Sequence, residues 1–190
     1  MNSIPKPLGQ LTSAERAMLF PVVLVEYNPE WPSWYEEEKE NIVRLLGVEN
    51  IVRISHYGST AVPGLLAKPI IDILLEIKDE TAFDKVFTSL YPPEYMCPNR
   101  PPSSKPPLHM MMVKGYTPAG FADRVFMIHI RYPGVWEELQ FRDYLISNPD
   151  DAAEYAALKR RLLIEFEHDL HGYTEGKRDF VLRIREKMTR

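Results

Sequence analysis

One tract of the sequence combines residue types that bind phosphate groups. Over residues 56–72 (HYGSTAVPGLLAKPIID), a glycine and two hydroxyl side chains end a predicted strand, and a lysine and a carboxylate come later. Gly58 lets the backbone approach a ligand closely, and the N–H groups that follow it, with the Ser59 hydroxyl, can hold phosphate oxygens. We therefore predict an anion site at Gly58, Ser59 and Thr60, with Lys68 facing it.

The carboxylate of this tract, Asp72, lies in an otherwise apolar run, residues 70–77 (IIDILLEI). A buried carboxylate must be paired, hydrogen-bonded or bound to a metal ion, because an isolated charge is expensive to remove from water. Lys68 can neutralise either Asp72 or a phosphate group. A structural Lys68–Asp72 ion pair beside a tight turn is therefore the alternative to a ligand site.

The common nucleotide-binding and hydrolase motifs do not occur in the sequence. The tract is not a P-loop, because five residues separate Gly58 from Gly64 and no lysine follows the second glycine. Neither G-x-G-x-x-G nor G-x-S-x-G is present. Ser59 lies three residues after His56, a spacing that does not prescribe a catalytic triad. The chemistry therefore has to be argued from the tract itself.

Composition excludes several classes of protein. The chain has 190 residues, a net charge of −4 and one cysteine, Cys97. The acidic excess is opposite to what nucleic-acid binding requires, and a lone cysteine excludes an intrachain disulfide and a cysteine-rich zinc site. No apolar run approaches the ~20 residues of a membrane span, and residues 1–20 lack the apolar segment of a signal peptide. We expect a cytoplasmic protein with no nucleic-acid or membrane partner.

The elements that must position the tract follow from hydrophobic periodicity and from glycine and proline breaks. The predicted strands are 51–57, 70–77, 108–114 and 124–131, after an extended segment at 22–27; the predicted helices are 12–20, 32–46, 79–90, 135–147, 149–170 and 174–184. This order predicts an α+β fold with a small mixed sheet. We expect one domain over residues 1–190, with an N-terminal extension (1–21) and a C-terminal helical segment (134–190).

Three expectations concern how these elements pack. Strands 51–57 and 70–77 should be neighbours, the 108–131 hairpin should extend the sheet, and the C-terminal helices should pack on it. The proline-rich residues 92–107 should form a surface loop, because proline fits neither a helix interior nor a central strand. A run of glutamates in the first long helix is predicted to be a solvated face; it comprises Glu36, Glu37, Glu38 and Glu40.

The tract resembles the hallmark of the GrpB family, which is a strand ending in H-x-G-S-T, followed by A-V-P-G-L, A-K-P and I-D. The resemblance extends over about residues 22–188 and includes N-P-E-W at 28–31 and F-R-D-Y-L at 141–145. It implies a nucleotidyltransferase-like core. In active members of that superfamily, glycine and serine hold the triphosphate, and two carboxylates two residues apart on the next strand bind Mg²⁺.

The sequence departs from that pattern where the second carboxylate is expected. Leu74 stands two residues after Asp72, and Glu76 is ~13 Å away along the strand at about 3.3 Å per residue. The later strand, 124–131, carries His129 instead of a carboxylate. The resemblance therefore leaves one acidic metal ligand, Asp72, for Mg²⁺. A set made of His56, His129 and Asp72 would instead suit Zn²⁺ or another transition metal.

Two functions of different classes remain open. The first is transfer of a nucleotidyl or phosphoryl group to an unknown acceptor, with Asp72 as the catalytic residue and the ligand of one divalent metal. The second is a non-catalytic module that binds a nucleotide or another phosphorylated small molecule, and the His/His/Asp metal site is a third. In each of the first two, Arg142, Lys159 and Lys177 are predicted to supply positive charge to the cleft. The oligomeric state stays open.

Overall fold

The structure is a computed structural model that describes residues 6–90, 95–99 and 108–189. The strands are β1 (Ile51–Tyr57), β2 (Ile70–Ile77), β3 (Met96–Asn99), β4 (Met110–Thr117) and β5 (Gly120–Arg131). The helices are α1 (Ser13–Leu19), α2 (Trp31–Leu46), α3 (Glu80–Leu90), α4 (Glu137–Ser147), α5 (Pro149–Phe166), α6 (Leu170–Glu175) and α7 (Arg178–Met188). A 3₁₀ turn, Ser59–Ala61, directly follows β1.

The five strands form one mixed sheet in the order β1-β2-β5-β4-β3. β2 is antiparallel to β1 and parallel to β5, while β5 and β4 form an antiparallel hairpin. The predicted neighbours and the predicted hairpin are therefore confirmed, and the α+β class with a nucleotidyltransferase-like core holds. Both hairpin strands are longer than the periodicity indicated, because pairing continues to Thr117 and Gly120.

One face of the sheet is covered by α2 and α3. Alternate residues of β2 point to that face, so Ile71, Ile73 and Leu75 join Ile42 and Val86 in the main core. The intervening residues of β2, Asp72 among them, point to the opposite face. Although the sequence of β2 is mostly apolar, one of its faces belongs to the core and the other carries the carboxylate of Asp72.

Of the C-terminal helices, α4 contacts β1 of the sheet, and α4, α5 and α7 pack on the tract. Leu145 of α4, Tyr155 of α5 and Phe180 of α7 form a second cluster with Val62 and Leu65. These last two belong to the A-V-P-G-L segment between β1 and β2. The helices are thus held against the segment that carries the predicted ligand residues, and a cleft remains between helices and sheet.

Several boundaries differ from the sequence predictions. Residues 22–27 contribute only an isolated bridge, Val25 with Ala67, instead of a strand. Gly172 lies inside the short helix α6 and does not end α5, which stops at Phe166. Of the predicted proline-rich loop, residues 95–99 contain the edge strand β3, and the rest lies outside the described residues. Proline is compatible with an edge strand because one side of its backbone is unpaired.

Two glutamates are buried, and for one of them, Glu38, the predicted solvated position is wrong. Glu38 is 5% exposed and pairs with Lys114, whose Nζ lies 2.9 Å from Glu38 Oε2. Glu76 is 1% exposed, pairs with Arg53, and accepts a 2.9 Å hydrogen bond from Trp136 Nε1. Periodicity on one element could not show these partners, because each belongs to a distant part of the chain. None of the described helices combines the length and apolar character needed to cross a membrane.

Candidate functional site

A cleft of about 490 Å³ lies between the sheet and the C-terminal helices. The pairing register of the strands places Tyr57, Asp72 and Met127 side by side on the floor of the cleft, one from each of β1, β2 and β5. Its lining includes nine of the predicted site residues, namely Gly58, Ser59, Thr60, Lys68, Asp72, His129, Arg142, Lys159 and Lys177. The volume falls within the range of small-molecule sites, roughly 300–1,000 Å³. Residues from the tract, from the segment 127–145 and from the segment 155–185 therefore meet at the position where we predicted a ligand from the tract.

Gly58 joins β1 to this cleft in a backbone conformation that other residues avoid. Its φ is +73° and its ψ is −174°. A Cβ atom at Gly58 would also collide with the Asp72 carboxyl group. Glycine is needed here for two reasons: the turn requires a positive φ, and the Asp72 carboxyl group occupies the space that a Cβ atom would take.

Thr60 has a structural role in the turn. Its side chain is buried, and its Oγ1 donates to the Ile70 carbonyl at 3.2 Å and lies 3.0 Å from His56 Nε2. The hydroxyl therefore ties the turn to the start of β2. Its one proton is used on the Ile70 carbonyl, so we assign the ligand contacts to other groups of the cleft.

Lys68, Asp72 and Lys177 form an incompletely paired charge cluster in the cleft. Burial is the main cause that lowers the pKa of Lys68 and that of Lys177, the latter to about 8, and raises the pKa of Asp72 to about 6. The charge of Asp72 opposes the shift in both lysines. Even so, no side-chain hydrogen bond or ion pair joins any of the three to another described residue. The Lys68–Asp72 ion pair, which was the alternative to a ligand site, is therefore not formed.

The other two predicted cations are in the cleft but already have partners. Arg142 donates from an Nη to the His56 carbonyl at 2.5 Å and bonds to Asp143, which ties α4 to β1. Lys159 is 2% exposed, and its Nζ lies 3.1 Å from Ser59 Oγ and donates to the Leu66 carbonyl. Burial lowers the pKa of Lys159 to about 7. Of the three predicted C-terminal cations, Lys177 alone has an ammonium group with no hydrogen bond or ion pair to a described residue.

The predicted His/His/Asp metal set is not assembled. His56 is opposite Ile73 in the register, so its side chain points to the α2 face, where it stacks on Tyr35 at 4.8 Å between ring centroids. His129 does face the cleft, but its Nδ1 lies 3.2 Å from His109 Nε2. Within residues 6–90, 95–99 and 108–189, no three His, Cys, Asp or Glu side chains are grouped as metal ligands.

A two-Mg²⁺ site does not fit the donor groups either. Leu74 takes the place of the second carboxylate, and Glu76 is engaged with Arg53 and Trp136. Asp72 is left as the one carboxylate of β2 that opens into the cleft, and it has two lysines for neighbours. A cluster of this kind attracts an anion more strongly than a cation.

Tyr173 is a cleft residue that sequence analysis did not select. It is 1% exposed, and its hydroxyl is the one buried side-chain polar atom without a partner in the described part of the chain. The Lys177 ammonium group lies 4.6 Å from the centroid of its ring. The four-residue spacing of the two was visible in the sequence, but a tyrosine at that spacing is far more often a core residue.

Comparisons with known proteins cover most of the chain. The model of the GrpB protein family matches residues 21–187. The chain is 31% identical to UPF0157 protein YqkA of Bacillus subtilis over 89% of this chain and 48% of that protein, so it spans about half the length of YqkA. It is 31% identical to UPF0157 protein BH1888 of Halalkalibacterium halodurans over 98% of this chain and 94% of that protein. A solved structure described as conserved protein GrpB from Enterococcus faecalis has a TM-score of 0.73 and 28% identity, covering 87% of this chain and 96% of that one.

Proposed function

This chain belongs to the GrpB family, and we propose that its cleft binds a phosphorylated small molecule of the nucleotide type. The observation that carries the proposal is the pair of lysines, Lys68 and Lys177, which face a cleft of about 490 Å³ without a bonded counter-ion among the described residues. Desolvated ammonium groups need an anion, and a phosphate group satisfies several of their N–H donors at once.

The remaining lining supports a ligand with an apolar or aromatic portion. Phe141, Leu145 and Val181 line the cleft from α4 and α7, beside the Tyr155 ring. The unpartnered Tyr173 hydroxyl adds a donor or acceptor for a polar group of the ligand. A nucleoside monophosphate, diphosphate or triphosphate combines these features, with phosphates on the lysines and the base or ribose against the apolar wall.

We expect Lys68→Met and Lys177→Met each to weaken nucleotide binding by about 1–3 kcal/mol, because each removes a charge-assisted hydrogen bond while keeping the stem of the side chain. Isothermal titration with ATP, AMP and adenosine measures the effect. Adenosine should lose little in either variant, since it lacks phosphate.

Lys78→Met is the matched control, since Lys78 is an exposed lysine at the end of β2. It should bind ATP as the unchanged protein does. Equal ATP affinity in Lys68→Met, Lys177→Met and the control would contradict the proposal. An equal loss for adenosine and ATP would show a damaged fold rather than a lost phosphate contact.

Transfer of a nucleotidyl or phosphoryl group is the second candidate function. It is favoured by one observation: Asp72, which lines the cleft, has no bonded partner among the described residues. In this candidate, Asp72 would be the one protein ligand of a Mg²⁺ ion bound to the phosphates, and the ion would supply positive charge to the reacting phosphate group. The acceptor of the transferred group is not defined by the cleft.

We expect the chain to bind Mg²⁺ or Zn²⁺ weakly without a nucleotide, and Asp72→Asn to abolish that binding. Glu76→Gln should keep it, because Glu76 is bonded to Arg53 and Trp136. Metal titration by calorimetry, with and without ATP, measures both variants. Full metal affinity in Asp72→Asn would eliminate Asp72 as a ligand, and a loss in Glu76→Gln alone would place the metal elsewhere.

A further inference from the structure

The side chains of Ser59 and Lys159 form a hydrogen bond on the wall of the cleft. The distance between Lys159 Nζ and Ser59 Oγ is 3.1 Å, although the two residues are 100 positions apart in the chain. Ser59 opens the 3₁₀ turn after β1, and Lys159 projects from α5. The Leu66 carbonyl accepts a second hydrogen bond from the same amine and so fixes its direction. These residues thus bring together a hydroxyl, an amine and a carbonyl that orients the amine.

The surroundings of Lys159 favour the neutral amine. The side chain is 2% exposed and forms no ion pair with a carboxylate of the described residues. Burial is the largest cause that lowers its pKa to about 7, and the positive charges of Lys177, Arg160 and Lys68 act in the same direction. A neutral amine keeps one N–H for the Leu66 carbonyl and offers its lone pair to the Ser59 hydroxyl proton.

Lys159 also lines the cleft, in addition to its contacts with the segment between β1 and β2. Lys159 sits over the ring of Tyr155, with Nζ 4.6 Å from the centroid, and both residues line the cleft together with Ser59. The pair therefore faces the same space as the free ammonium groups of Lys68 and Lys177. A phosphate group bound by those two lysines would share the cleft with the Ser59 oxygen.

We infer that Ser59 is a nucleophile with Lys159 as its general base, and that the pair attacks the phosphorus of a phosphoanhydride bound in the cleft. The choice of a phosphoanhydride rests on the proposed function, whereas the nucleophile and base rest on their own geometry. Lys68 and Lys177 neutralise the negative charge of the phosphate oxygens, which a metal ion does in many phosphoryl-transfer enzymes. This agrees with the finding that the donor groups of the cleft do not suit a two-metal site.

The step balances with groups already named. The Ser59 oxygen forms a bond to the terminal phosphorus, its proton passes to Lys159, and the bond from that phosphorus to the bridging oxygen breaks. The shortened phosphate leaves with the bond electrons and needs no proton. After Lys159 releases its proton to solvent, water attacks the phosphoserine, Lys159 takes a proton from that water, and the Ser59 oxygen receives it as the phosphorus leaves.

A fluorophosphonate tests the nucleophile, because an activated serine forms an oxygen–phosphorus bond with it and releases fluoride. We expect an adduct on Ser59, found by mass spectrometry of the digested protein and absent in Ser59→Ala. The rate should fall at least about 100-fold in Lys159→Arg, because arginine stays protonated and cannot accept the proton. In the unchanged protein, the rate should rise with pH and level off above about 7, where Lys159 becomes neutral.

Two further measurements keep the outcomes distinct. Ser147→Ala and Lys78→Met alter exposed residues outside the cleft and should label at the unchanged rate, and the melting temperature checks each fold. Incubation with ATP in the presence of EDTA, quenched with acid before the phosphoserine is hydrolysed, should trap one phosphoryl group on Ser59. No adduct with either reagent, or one that forms equally fast in Lys159→Arg, would overturn the dyad. ATP binding without an adduct overturns the dyad and leaves the proposed function standing, whereas a fluorophosphonate adduct without ATP binding overturns only the ligand class.

Discussion

Replacing Gly58 with alanine is expected to destabilise the protein by about 3 kcal/mol and to abolish ligand binding. The backbone of Gly58, with φ of +73°, is strained for any residue that carries a Cβ atom. The new methyl group would also meet the Asp72 carboxyl, which cannot retreat because Asp72 is set between β1 and β5. Chemical denaturation and ATP titration measure the two losses.

Gly64→Ala is the matched control for the strain alone. Gly64 has a φ of +76°, but a Cβ atom built there has no neighbour within 4 Å. Its substitution should be milder, about 1–2 kcal/mol, and should leave binding in place. The double variant Gly58→Ala/Asp72→Ala should recover part of the stability lost in Gly58→Ala. If Gly58→Ala and Gly64→Ala had equal effects, the close approach of Asp72 to the turn would be wrong.

Replacing Lys114 with methionine is the second large change, with an expected loss of about 3 kcal/mol in the free energy of unfolding. The substitution leaves the Glu38 carboxylate, 5% exposed, without the ammonium group that lies 2.9 Å and 3.1 Å from its two oxygens. The hydroxyl of Tyr95 still donates to Glu38, but a neutral donor does not cancel a buried charge. Urea denaturation measures the loss.

The double variant Glu38→Gln/Lys114→Met shows whether the loss of stability comes from the unpaired Glu38 charge or from lost packing of the Lys114 side chain. It removes both charges, so it should be more stable than Lys114→Met alone. Lys39→Met is the surface comparison, because its pair with Glu36 is exposed and should contribute less than about 1 kcal/mol. A Lys114→Met protein as stable as Lys39→Met would show that Glu38 does not depend on its partner.

The helices and strands around the tract, and the glycine turn at Gly58, could be predicted from the sequence. Alternation and breaks in residues 51–77 specified two strands and the glycine turn between them, because side-chain direction in a strand follows position with a period of two. A tight turn is equally local, since Gly58 and the hydroxyl residues after it set its backbone. The prediction that Arg142, Lys159 and Lys177 share the cleft depended on the family resemblance, and their positions in the structure agree with it.

The partner of each charged group could not be predicted in this way and is known from the tertiary contacts. Three charged residues of types that usually lie at the surface or bind ligands are buried, and each has a partner from a distant element. The pairs are Glu38 with Lys114, Glu76 with Arg53, and Lys159 with Ser59. The pleat of β1 turned His56 away from Asp72, which removed a metal site that composition alone allowed. Pairing of this kind depends on distances of a few ångströms between residues far apart in the chain, and periodicity within one element carries no information about them.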